Sequence, residues 1–144
     1  MMEILRHVSL TPIGVFHGTL FDTKLDGYDF PKGTWLVGHM YAVHFDKKTW
    51  GDPENFRPER FLDKDGHVIP KPDALMPFSV GKRQCLGESL ARDTLFLFTT
   101  SIFQRFSVSP DPKDPHVSFE CGKGFARIPK PFKVVFTDRM EMKK

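Results

Sequence analysis

At 144 residues the chain is long enough for one domain with its own core, and 40% hydrophobic with 13% aromatic residues excludes a disordered protein. The formal net charge of +3 is mild, and no dense Lys/Arg cluster interleaves with aromatics as in nucleic-acid binders. Two cysteines, Cys85 and Cys121, do not make a disulfide framework, so a reducing compartment is expected.

The first segment, "MMEILRH", reads as the last turns of a helix over Met1 to His7, with Met2, Ile4 and Leu5 apolar and Pro12 blocking any continuation. Ile13 to Leu20 is strand-like, and turn signals follow at Asp26-Gly27 and Lys32-Gly33. Thr34 to Val37 predicts a short strand, and His39 to His44 a small amphipathic helix. Between Asp46 and Pro77 five prolines (Pro53, Pro58, Pro70, Pro72 and Pro77) forbid long regular structure. A segment of that length in a compact domain is functional or pinned by specific contacts. From Gly87 to Phe106 the apolar residues Leu90, Ala91, Leu95, Phe98, Ile102 and Phe106 recur at three and four, which predicts a long helix. The tail offers strand candidates at Val117 to Glu120 and Phe132 to Phe136, split by "CGKGFARIPKP". No internal repeat is present, and the longest apolar block, Leu95 to Phe98, is too short to span a bilayer.

Cys85 stands in "PFSVGKRQCLGESLARD", just before the long helix. Unpaired backbone N–H groups and the positive end of the helix dipole converge at such a place and suit a negatively charged sulfur. Gly81 allows a tight turn, Gly87 lets a flat object approach the helix start, Arg83 can reach an anionic group, and Phe78 can shield the sulfur from water. These residues suit an axial sulfur ligand to heme iron with the arginine on a propionate. An inert buried cysteine, a reactive nucleophile and a disulfide with Cys121 are the competing readings of a lone cysteine at this position.

Phe78, Gly81, Arg83, Cys85 and Gly87 occupy all five fixed positions of F-x-x-G-x-R-x-C-x-G, and in this the chain resembles the cytochrome P-450 family. The resemblance extends to Glu3 and Arg6, spaced as in the family's E-x-x-R motif, and to "FRPERF" over Phe56 to Phe61, whose Arg60 would join the same carboxylate. It implies an α+β chain, the C-terminal part of a mainly α fold. Its parts would be the end of the E-x-x-R helix, short β hairpins, a Pro-rich meander pinned by Glu3, Arg6 and Arg60, the cysteine loop and one long helix. The implied cofactor is heme b, with Cys85 as iron ligand and Arg83, His17, Phe78, Gly81 and Gly87 around it. Thr11 to Phe16 and Lys123 to Phe125 match the family's two C-terminal substrate-contacting segments, making Ile13, Val15 and Phe125 candidate substrate contacts. Lys82 and Arg92 would present positive charge on the side where a reductase docks.

The function this resemblance implies is insertion of one oxygen atom from O2 into a lipophilic substrate. Electrons would come from NADPH through a flavoprotein reductase, at the cytoplasmic face of the endoplasmic reticulum membrane. The stretch "PFSVGKRQCLGESLARDTLFLF" resembles the animal group that contains drug and steroid hydroxylases and arthropod hormone epoxidases. The 144 residues are expected to form a single partial domain, the C-terminal third of a family member. The oxygen-activating helix and the membrane anchor would be absent, as would any catalytic residue beyond the iron ligand. Such a chain would be soluble or peripheral and inactive alone. The alternative is a non-catalytic product that binds heme or a partner.

Overall fold

The structure is a computed structural model that describes residues 1–122 and 124–140. The chain divides into two compact units, Met2–Ser79 and Val80–Lys144, the second counted with Met1.

In the first unit, helix α1 (Met2–Val8) carries acidic Glu3 in its first turn and Arg6 and His7 in its last, the order that complements the helix dipole. It stops at Ser9, whose φ of 42° leaves the helical region. Strand β1 (His17–Gly18) encloses a hairpin of β2 (Thr23–Leu25) and β3 (Tyr28–Phe30), then pairs antiparallel with β4 (Trp35–Leu36) in the register His17 to Leu36. The hairpin turn is Asp26-Gly27, and both residues have positive φ (50° and 84°). That is the two-residue turn whose twist matches its strands, and Asp-Gly is among its preferred pairs. The strand expected over Ile13 to Leu20 thus shortens to two residues, and the hairpin was signalled only by its turn.

Helix α2 (Met40–His44) is capped by His39, whose Nδ1 accepts the Ala42 N–H at 3.0 Å. Helix α3 (Lys47–Trp50) is capped by Asp46, which accepts the Thr49 N–H at 2.9 Å. A single 3-10 turn, Pro58–Phe61, starts on proline, which has no N–H to leave unsatisfied there. The long proline-rich segment therefore holds two short helical pieces and an isolated bridge between Leu62 and Val68, and otherwise runs as turns and coil. Trp50, Phe61 and Leu75 form the apolar core of this unit, with Met2, Ile69 and Ala74 packed against it. The core is small, and four polar residues, Glu3, Arg6, Ser9 and His44, are buried as well.

In the second unit a 3-10 turn, Gly81–Arg83, leads into helix α4 (Glu88–Arg105). Strand β5 (Phe106–Pro110) follows directly and pairs antiparallel with β6 (Val134–Asp138), Phe106 opposite Asp138 and Pro110 opposite Val134. Phe106 and Phe136 meet edge to face at 5.7 Å, and the Arg105 guanidinium holds Asp138 at 3.0 Å. Val117 to Glu120 forms no strand; only an isolated bridge joins Cys121 to Pro129. The second strand begins at Val134, beyond Pro129 and Pro131, because proline cannot donate to a ladder. Among the described residues none in α4 is buried; Leu95 and Ile102 are half-buried, while Leu90 and Phe98 stand open.

Because Leu75 is 0% exposed at the centre of the first unit's core, Leu75→Ala is expected to cost about 2–5 kcal/mol. A urea titration that shows a lower midpoint with an unchanged slope would bear this out.

Candidate functional site

Glu3 and Arg6 lie three residues apart on one face of α1, so their side chains meet without distorting the helix. The pairing is a two-pronged fork: Arg6 Nε donates to Glu3 Oε2 at 2.7 Å and Nη2 to Oε1 at 2.8 Å. Both residues are fully buried, at 0% and 1% exposure. The remaining guanidinium donors reach backbone carbonyls: Nη1 donates to His44 O at 2.8 Å, and Nη2 to Pro53 O at 2.9 Å. Arg6 also lies over the Phe45 and Trp50 rings, 5.4 and 5.5 Å from their centroids.

Glu3 Oε1 collects further donors from the proline-rich segment. The Arg57 backbone N–H reaches it at 2.9 Å and Arg60 Nε at 3.2 Å. Arg60 then donates to Trp50 O at 2.8 Å, to Asp52 O at 3.2 Å and to Asn55 O at 3.1 Å. Burial alone would raise the Glu3 pKa, but the Arg6 hydrogen bond, the Arg57 amide and the two guanidinium charges outweigh it and hold the carboxyl below its usual range. Asp52, hydrogen-bonded by Arg57, is drawn down to about 2. Among the described residues no buried side-chain polar atom lacks a partner.

His44 sits beside this cluster, fully buried at the end of α2. The Met76 N–H donates to its Nε2 at 3.0 Å, so the ring proton is on Nδ1 and points to Ser9 Oγ, also at 3.0 Å. Burial, then the nearby Arg6 charge, lowers its pKa from 6.5 to about 4.

The second unit carries the cysteine loop. Gly81 has φ of 77°, a conformation that L side chains rarely adopt, and the Gln84 N–H closes the following turn on Gly81 O at 3.1 Å. Cys85 is a free, exposed thiol. Gly87 is the N-cap of α4 and no side chain caps that end. A Cβ at Gly87 would stand 3.8 Å from the Cys85 sulfur, so the missing side chain leaves open space next to it. Leu86 is fully exposed. Among the described residues no group of three or more His, Cys, Asp or Glu could hold a bare metal ion. A lone accessible sulfur beside open space suits a metal that brings its other donors with it, as iron in a porphyrin does.

The structure brings Arg6 and Arg60 each within hydrogen-bonding distance of Glu3 and holds Gly81, Arg83, Cys85 and Gly87 in one short loop. His17 is exposed on β1, Ile13 is half-buried, Val15 is exposed and Phe78 is half-buried, all in the first unit. In the second unit Arg83 and Phe125 are exposed, and Lys123 lies outside the described residues. Of the two basic residues expected on the cysteine side, Lys82 is exposed, whereas Arg92 is held by Glu88 at 2.7 Å. Sequence reading missed the burial of His44, although Met40 and His44, four apart, share the covered face of α2. It also missed Ser9, the acceptor for the His44 ring.

Comparison with known proteins gives a consistent result. The Cytochrome P450 family model matches residues 1–136. Cytochrome P450 2D15 of Canis lupus familiaris is 44% identical over 137 residues, which cover 95% of this chain and 27% of that protein. Farnesoate epoxidase of Bombyx mori is 40% identical over 143 residues, 99% of this chain and 29% of that protein. A solved zebrafish cytochrome P450, determined with abiraterone, superposes with a TM-score of 0.84 at 38% identity, covering 96% of this chain and 31% of that one. The chain thus spans less than a third of the length of these relatives. Among its described residues no helix is long and apolar enough to cross a membrane.

Two outcomes follow from the buried polar cluster. Glu3→Gln strips two guanidinium groups of their shared carboxylate and is expected to cost about 3–5 kcal/mol in urea unfolding. Acid should weaken the first unit in two stages. The unfolded chain protonates His44 near pH 6.5, whereas the folded chain resists until about 4, so stability falls across that window by about 3 kcal/mol. The Glu3 carboxyl, lowered on folding from 4.5, stabilises the fold above that value and removes more as pH drops through its folded pKa. Unfolding midpoints measured from pH 7.5 to 3.5 test this; a flat profile above pH 5 contradicts it.

Proposed function

The chain belongs to the cytochrome P450 family, which implies heme as its cofactor, and on that premise we propose that it is the heme-thiolate segment of a monooxygenase. The observation that carries the proposal is the free, exposed sulfur of Cys85, set in all five residues of the family signature at the head of an 18-residue helix. In this reading Cys85 would hold the heme iron. Bound there, heme would supply the redox chemistry by which one oxygen atom of O2 enters a lipophilic substrate, with electrons from NADPH through a flavoprotein reductase.

This chain's own residues would hold and orient the cofactor. The uncapped amides at the start of α4 place partial positive charge next to an anionic sulfur. Gly81 and Gly87 keep the loop turned and the space beside the sulfur clear. Arg83 and His17 are the proposed propionate partners, and Phe78 is the proposed shield of the sulfur. Ile13, Val15 and Phe125 are the proposed substrate contacts. Lys82, exposed, is the better placed of the two basic residues to meet an acidic reductase surface, because Arg92 is paired with Glu88. Glu3, Arg6 and Arg60 act on none of the reacting atoms; they keep the proline-rich segment ordered. The proposed location is the cytoplasmic face of the endoplasmic reticulum membrane.

Adding heme to the purified 144-residue chain, reducing it and exposing it to CO tests the central step. The expected result is the red-shifted band of a thiolate-ligated iron, lost in Cys85→Ala; a nitrogen-type band in the parent chain refutes the assignment. With reductase and NADPH added, the 144 residues alone are expected to bind heme without turnover. Product formed faster than with free heme would refute that expectation.

A further inference from the structure

His44 is absent from the signature residues, yet it joins three parts of the first unit. Its carbonyl accepts from Arg6 Nη1 at 2.8 Å, its Nδ1–H meets Ser9 Oγ, and its Nε2 accepts the Met76 N–H. Ser9 is the buried residue that ends α1, and its own N–H closes on Leu5 O at 3.1 Å. Met76 follows the fully buried Leu75 and accepts the Ser79 N–H at 3.0 Å. The Leu75 side chain, the Leu75 carbonyl that accepts from Lys71 Nζ at 3.0 Å, and the imidazole nitrogen at the Met76 N–H are among the anchors of the stretch from Leu75 to Ser79. Val80, the next residue, opens the unit that carries the cysteine loop.

The chemistry asks for a histidine in one particular state. Met76 presents a donor and Ser9 presents a hydroxyl, so the ring must accept at one end and donate at the other, as only the neutral Nδ1–H form does here. A protonated ring would donate from both nitrogens and face the Met76 N–H with no lone pair. Leucine would fill the space and leave the part-buried Met76 amide without its acceptor. Glutamine can still offer a carbonyl oxygen at the place of Nε2.

We propose that His44 is a positioning residue for the cysteine loop: its neutral ring, braced on Ser9, fixes the Met76 amide and with it the segment from which that loop departs. This rests on the reading of Cys85 as iron ligand. His44 touches neither heme nor substrate and acts through the backbone of Met76 to Ser79.

The test uses the 144-residue chain with heme added, together with His44→Leu, His44→Gln and Ser9→Ala. With 15N-labelled histidine, the parent chain at pH 7 should show His44 as the Nδ1–H tautomer, and the Met76 amide should be protected from exchange by about a hundredfold or more. His44→Leu should keep its far-UV circular dichroism but move about half or more of the ferrous–CO absorbance out of the thiolate band, and His44→Gln should restore it. An unchanged band in a folded His44→Leu overturns the proposal, as does an Nε2–H tautomer or an unprotected Met76 amide in the parent. Should His44→Leu not fold, Ser9→Ala decides: exchange at Met76 about tenfold faster supports the proposal, and unchanged exchange overturns it. A parent chain without a thiolate band refutes the heme-thiolate reading. The ring-nitrogen and Met76 signals then still report whether His44 holds the segment.

Discussion

A guanidinium removed from water is tolerable only where every donor finds an acceptor and a counter-charge lies close, and Arg6 meets both conditions at 0% exposure. Its fork closes on Glu3, and its spare donors close on the carbonyls of His44 and Pro53. These carbonyls belong to segments 38 and 47 residues downstream of Arg6. One side chain of α1 thereby collects backbone that has no sheet or long helix to satisfy it. The same carboxylate that balances Arg6 also takes Arg57 N–H and Arg60, so the return path of the chain is tied from both sides. With an apolar core of only a few side chains in this unit, the hydrogen-bonded charges supply what burial of hydrocarbon cannot.

The second unit is organised differently. Its longest element is an 18-residue helix that runs without a turn into a strand, and the strand pairing of Phe106–Pro110 with Val134–Asp138 brings the far end of the chain back to it. Much of the apolar surface of α4 stays open: Leu90, Leu97 and Phe98 are each more than 60% exposed. The cysteine loop at its head is held by glycine conformation and tight turns, and among the described residues it makes no buried ion pair. Rigidity resides in the Glu3–Arg6–Arg60 network, while the sulfur stands where a large flat ligand can reach it.

Motifs made of fixed residue types at fixed spacing were legible in the sequence. The five signature positions around Cys85, the Glu3–Arg6 pair and Arg60 could be named because together they resemble the motifs of the cytochrome P450 family. Helix α4 was legible too, since eighteen residues carry enough turns for a 3.6 period to stand out. The three-residue strands of the hairpin were not, because a period of two needs more residues than three to be distinguished from coil; only Asp26-Gly27 betrayed them. Strand β5 was hidden for another reason. It continues the apolar run of the helix without a break, and only its partner 28 residues away selects an extended backbone.

Sequence by itself supplied the candidate side chains: a cysteine between glycines, a carboxylate and two arginines, and the prolines that keep the middle of the chain irregular. Tertiary structure alone decided which polar groups lose their water. His44 reads as one more helix-end histidine until Ser9 and the Met76 amide close around it. Spacing along the chain records what each residue can donate or accept, but burial and partnership depend on segments distant in sequence, whose approach no local pattern encodes.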